Sequence, residues 1–124
     1  KISNSAHIAY EILWKAAEEG MNKAKPGNTC ADICNAMSNT LHKKNPNLNS
    51  IGRMGHGIGL QLTEPPSIMT TDNTILQPGM VIAIEPCIEY APGIMLVHEE
   101  NILITKDGSQ RLTSRTPRML PIID

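Results

Sequence analysis

The chain contains no phenylalanine, one tryptophan and two tyrosines in 124 residues. Without aromatic rings to stack on bases, a platform for single-stranded nucleic acid is excluded, and the core must be built from Ile, Leu, Val and Met. An excess of charge of one sign is also missing: 11 Lys and Arg stand against 12 Asp and Glu, and the longest basic run is Lys43-Lys44. That balance lacks the footprint of a DNA-binding protein or of a polybasic membrane patch. No stretch reaches the roughly 20 apolar residues that cross a bilayer. Nor does a charged-then-apolar leader open the chain, so a soluble, unexported protein is expected. Cysteine is scarce and odd in number: Cys30, Cys34 and Cys87 argue against a disulfide framework and for a reducing compartment, which makes the cytoplasm the expected location. Cys30 and Cys34 stand four apart, not in a CxxC spacing, and so offer no thiolate zinc site.

What is present is enough for one folded domain. Apolar residues make up 40% of the chain, with nine glycines besides, a globular composition at a length that holds a single core. Ala6, Tyr10, Leu13, Ala17, Met21 and Ala24 recur at spacings of three and four, which predicts a helix over residues 6–24 with one buried face. Asn4 or Ser5 can cap it, and Lys25-Pro26-Gly27 ends it. Thr29 followed by Asp32 reads as a capping box, and Ile33, Met37 and Leu41 mark a second helical face that runs to Asn45-Pro46. Beyond that point the composition becomes extended and glycine-punctuated. Strands are expected over 59–62, 80–89, 94–105 and 111–113, separated by Pro65-Pro66, Pro78-Gly79, Pro92-Gly93 and the Lys106-Asp107-Gly108 turn. The run Ile94-Met95-Leu96-Val97 is apolar in both alternating positions, which suits a strand covered on both sides. The fold class is α+β, two helices followed by an antiparallel sheet.

Carboxylates interrupt two of those apolar runs: Glu85 follows Val81-Ile82-Ala83-Ile84, and Glu99 with Glu100 divides the run from Ile94 to Ile104. A buried carboxylate needs a partner, and a metal ion is one. With His56, set between Gly55 and Gly57, they make an imidazole-and-carboxylate set acceptable to Zn, Mn, Fe or Co. The same residues also fit a turn histidine and solvated strand-end glutamates. His98 fits either a place beside the glutamates or one facing solvent, and the alternation does not choose between Glu99 and Glu100.

The strings GHGIGLQLTEPP (55–66), LQPGMVIAIEP (76–86) and VHEENILITKDGSQRLT (97–113) together resemble the second half of the pita-bread metallopeptidases. That family includes methionine aminopeptidase, aminopeptidase P, prolidase and creatinase. The likeness extends to the Lys25-Pro26-Gly27 helix end, and the fuller string RMGHGIGLQLTEPPS is most similar to Xaa-Pro peptidase members. The resemblance implies a curved antiparallel sheet behind two helices. It also implies His56, Glu85 and Glu99 as metal ligands, Glu99 because it stands six before Thr105, with Glu85 also the catalytic general base. Two divalent ions (Mn, Zn, Co or Fe) are implied in an intact enzyme that hydrolyses N-terminal peptide bonds, of the Xaa-Pro kind, in small peptides.

Two departures bear on that expectation. The family's second histidine, seven after the first, is Thr63 here; threonine donates one hydrogen bond but cannot act as an imidazole acid, so Thr63 is the substrate-contact candidate. The implied aspartate ligands lie upstream of the first helix, where only residues 1–5 stand; Asp32 and Asp72 match neither. Residues 1–124 are therefore expected to be a C-terminal fragment of a catalytic domain, inactive alone, with partial or no metal occupancy. Long apolar strands without lysine, left unpaired by the missing neighbours, predict pairing with a second copy as a homodimer or by strand exchange. The alternatives are a lyase or C-N hydrolase acting on a small zwitterion, for which Thr63 is the cue, and a metal-free binding module.

Overall fold

The computed structural model describes residues 3–46, 50 and 52–123; Lys1 and Ile2 of the opening segment lie outside them. Helix α1 spans Asn4–Lys23 and α2 spans Cys30–Lys44. The cap of α1 is Ser3, not Asn4 or Ser5: Ser3 is still extended and its hydroxyl accepts from the Ala6 amide, whereas the next two residues are already helical. The second helix starts as expected, with Thr29 and Asp32 exchanging side-chain and backbone hydrogen bonds in a complete capping box. His42, Lys43 and Lys44 place basic side chains in its last turn, where the helix dipole favours them.

The strands are β1 (Gly55–Gly57), β2 (Glu64–Ser67), β3 (Val81–Ile84), β4 (Cys87–Ala91), β5 (Ile94–Val97), β6 (Glu100–Ile104) and β7 (Ser109–Arg111). Five form an antiparallel sheet in the order β2-β1-β3-β6-β7, and β4 and β5 pair separately as a two-stranded ribbon. Four expectations are corrected by this arrangement. Residues 59–62 are a bend, and the strand lies just before them as β1. Pro65 and Pro66 stand inside β2, tolerated because, among the described residues, β2 is an edge strand with a ladder on one side only. The last strand begins two residues early, at Ser109. Most consequentially, each long apolar run is two strands: one breaks at Glu85-Pro86, the other at His98-Glu99, and the halves enter different sheets.

The first break has one local and one long-range cause. The Glu85 amide donates to Met54 O at 2.8 Å and Pro86 has no amide, so the β3–β6 ladder stops there. The His98 amide then donates to Pro86 O at 3.2 Å, tying the second break to the first. Across the main sheet, Ile82 and Ile84 of β3 and Ile102 and Ile104 of β6 are fully buried in one cluster with Leu13, Ala16 and Ala17 of α1 and Ile33, Met37 and Leu41 of α2. The ribbon is less covered than expected. Ile94, Met95 and Val97 are 50%, 44% and 47% exposed, so β5 is apolar on both faces without being enclosed on both.

Candidate metal centre

His56 sits in the middle of β1, between β2 and β3, and only glycine serves on either side of it. Gly55 has φ +148, and a Cβ there would strike the Ala83 carbonyl; one on Gly57 would strike the Pro65 carbonyl. The imidazole Nδ1 lies 2.9 Å from Gly57 O. A carbonyl oxygen only accepts, so Nδ1 carries the hydrogen, and in the neutral imidazole the lone pair is then on Nε2. That Nε2 stands 3.5 Å from Glu85 Oε2.

Strand register explains why these residues share a face. His56 pairs with Ala83, and Ala83 with Asn101, in one row across β1, β3 and β6. Glu85 and Glu99 are two residues beyond Ala83 and two before Asn101, on the same side of the pleat. His56, Thr63, Glu85, Glu99 and Asn101 accordingly line one cavity of about 360 Å³, together with Arg53, Ile58 and Leu62. The neighbouring row runs Gly55, Ile84, Glu100. Glu100 therefore faces the core, 2% exposed, while Glu99 faces the cavity.

The donor set fits a divalent cation in kind: one imidazole nitrogen with a free lone pair, and two carboxylates on the same cavity. It does not form a closed cage. Among the described residues no three His, Cys, Asp or Glu side chains converge tightly enough to hold an ion.

Arg53 and Asn101 of this cavity went unnoticed in the sequence. Arg53 forms no hydrogen bond or ion pair among the described residues, and Asn101 Oδ1 is buried without a hydrogen-bond partner. Period-two counting from Glu99 finds Asn101; no periodicity marks Arg53, which only opens the string 53–67 that carries the resemblance. His98 is buried, 3% exposed, and its Nε2 donates to Glu100 Oε1 at 3.2 Å. Burial pushes its imidazole below the ordinary value, against the pull of Glu100. The cysteines are free; burial, with the Asp72 charge adding, pushes the Cys30 thiol up to about 11, and burial raises Cys34 and Cys87 as well, so none is an activated nucleophile. Asp32 is spent on its cap and Asp72 on a loop. No helix among the described residues is long and apolar enough to cross a membrane.

Residues 2–106 match the model of metallopeptidase family M24. The Xaa-Pro dipeptidase of Pyrococcus horikoshii is 41% identical over 112 residues, which are 90% of this chain and 31% of that protein. The chain thus spans about a third of the length of the curated relatives it matches. Among solved structures, the Xaa-Pro dipeptidase from Bacillus anthracis superposes with a TM-score of 0.87 at 31% identity, over 99% of this chain and 34% of that one. Methionine aminopeptidase from Rickettsia prowazekii shares the fold at a TM-score of 0.77 and 22% identity, over 90% of this chain and 53% of its own. Two helices followed by an antiparallel sheet match part of the pita-bread fold.

Proposed function

The chain belongs to metallopeptidase family M24, and from that premise we propose that it is the C-terminal part of a metal-dependent hydrolase that cleaves Xaa-Pro dipeptides. The observation that carries the proposal is the register that brings His56, Glu85 and Glu99 to one side of the sheet, where with Thr63 they line one cavity of about 360 Å³. His56, Glu85 and Glu99, completed by aspartates from outside this chain, would hold two divalent ions, which supply a more acidic water and polarise a carbonyl. His56 contributes through its tautomer, because the Nδ1 hydrogen bond to Gly57 O leaves Nε2 as the donor atom. Glu85 moves the proton: its carboxylate takes one from the attacking water and delivers it to the departing amide nitrogen. The Thr63 hydroxyl donates toward the scissile carbonyl, Ile58 and Leu62 form an apolar wall for the proline ring, and Arg53 offers an unpaired cation to a free carboxylate. A cytoplasmic setting accords with three free thiols. Self-association belongs to the same reading: β5 pairs only with β4 among the described residues and leaves Ile94, Met95 and Val97 exposed.

A second reading, a lyase or C-N hydrolase acting on a small zwitterion, is favoured by Thr63 standing where the family's peptidases carry histidine. The test assays the gene's whole product, loaded with Mn, Zn or Co, on Xaa-Pro dipeptides. Cleavage is expected, and Thr63→Val should lower kcat/KM by about fivefold, the loss of one hydrogen bond worth on the order of 1 kcal/mol. Absence of Xaa-Pro cleavage alongside turnover of a small zwitterion would select the second reading.

A further inference from the structure

Glu99 has no hydrogen bond or ion pair of its own among the described residues. Its direction is set by its backbone, and the backbone on either side is held from below. His98 and Glu100 are both buried, at 3% and 2% exposure, and His98 Nε2 donates to Glu100 Oε1 at 3.2 Å. That bond closes over Glu99, leaving it as the one residue of the three that turns to the cavity.

Glu100 stands in the core-facing row of β6 with Ile102 and Ile104, opposite Ile84. An apolar residue would fill that place without the desolvation penalty of a carboxylate, so packing alone does not account for it. Its other oxygen, Oε2, lies 3.8 Å from Arg111 Nε, and Arg111 Nη2 reaches Glu18 of α1 at 3.9 Å. Arg115 pairs with the same Glu18 and lies over the Trp14 ring at 3.2 Å. The Tyr10 ring meets the His98 ring edge-on, with centroids 5.8 Å apart. The His98 amide is itself fixed to Pro86 O at 3.2 Å, next to Glu85. Arg111 and Arg115 lie beyond the stretch 2–106 that matches the family model.

We propose that His98 and Glu100 are positioning residues for Glu99: their buried hydrogen bond, anchored to α1 through Arg111 and Glu18, fixes the strand break that aims the Glu99 carboxylate into the cavity beside Glu85. The inference rests on the reading of Glu99 as a metal ligand. A pair that fixes a ligand's orientation governs how tightly and in what geometry the ion is held, whereas a merely structural pair affects only stability.

The experiment titrates cobalt(II) into the gene's whole product and into E100Q, H98Q, R111M and I102V, reading affinity, the visible absorption of the bound ion and Tm. E100Q and H98Q should lower cobalt affinity by about 10–100-fold and alter the absorption bands. R111M, which leaves the His98–Glu100 bond in place, should lower affinity less. I102V, a core truncation on the same strand, should lower Tm and leave affinity and spectrum untouched. Unchanged affinity and spectrum in E100Q and H98Q would overturn the proposal while the metal reading stood, as would an equal change in I102V. Should neither buried-pair variant fold, R111M decides, and unchanged cobalt affinity there overturns the proposal. A wild-type protein that binds no cobalt sinks the metal reading and this proposal together.

Discussion

The helical layer and the cavity rim treat their side chains in opposite ways. In α1 and α2 the N-terminal amides are capped, by Ser3 and by the Thr29–Asp32 box, and Leu13, Ala16, Ala17, Ile33, Met37 and Leu41 are 0% exposed. Around the cavity, Arg53 and Glu99 have no partner among the described residues, Asn101 Oδ1 is buried without one, and Leu62 is 85% exposed. The layer that satisfies its own groups supplies stability. The rim that leaves groups unmatched can satisfy them with a ligand, and an unpaired buried acceptor such as Asn101 Oδ1 has more to gain from one than a paired acceptor would.

If that division holds, changes at the rim alter turnover without altering melting, and changes in the layer do the reverse. The largest effect is expected from Glu85→Gln, which keeps the shape and removes the proton acceptor: turnover by the gene's whole product should fall about 10²–10⁴-fold. Its Tm should stay near wild type, since the Glu85 side chain is 35% exposed; a parallel collapse of Tm would break the division. Next comes Leu13→Ala in the helical core, expected to cost about 2–5 kcal/mol in denaturant unfolding, with kcat of the surviving folded protein unchanged. A smaller effect concerns acid. The Thr74 hydroxyl and amide and the Ser67 amide hold the Asp72 carboxyl below its ordinary value of 3.8. A native value below the unfolded one gives stability that is complete above the unfolded value and lost as pH falls through the native one. Melting curves should therefore show wild type losing more Tm than Asp72→Asn between about pH 4 and pH 2; identical acid slopes would remove Asp72 from the account.

The helices were legible because their signals are local. Leu13, Ala17 and Met21 on one face and the Thr29–Asp32 box on one turn are fixed by neighbours three and four residues away. The strand breaks were only partly legible: Glu85-Pro86 and His98-Glu99-Glu100 interrupt the apolar runs, but nothing within the runs says that their halves enter two sheets. What sends the halves apart is long-range: the Glu85 amide bonds to Met54 O and the His98 amide to Pro86 O. The same holds for the choice between Glu99 and Glu100. Resemblance to a family selected Glu99 from its distance to Thr105; periodicity does not say which glutamate faces the cavity, whereas the pairing of Ile84 with Glu100 turns Glu100 to the core and leaves Glu99 on the cavity. Arg53 opens the string 53–67 that carries the resemblance, yet its place on the cavity is not legible there, since an exposed arginine in a loop follows no periodicity.

The break at His98-Glu99 also governs where the chain can change length. The turns at Pro92-Gly93 and Lys106-Asp107-Gly108 lie outside the ladders, and an extra residue there lengthens a loop. Within 98–104 an extra residue inverts the strand: Asn101 would enter the row of Ile82 and Ile84, and Ile102 and Ile104 would turn out to the cavity. Length drift among descendants of this sequence should therefore collect in the two turns. A gap inside 98–104 would mark a copy that has lost its centre, even with every glutamate still spelled out in its gene.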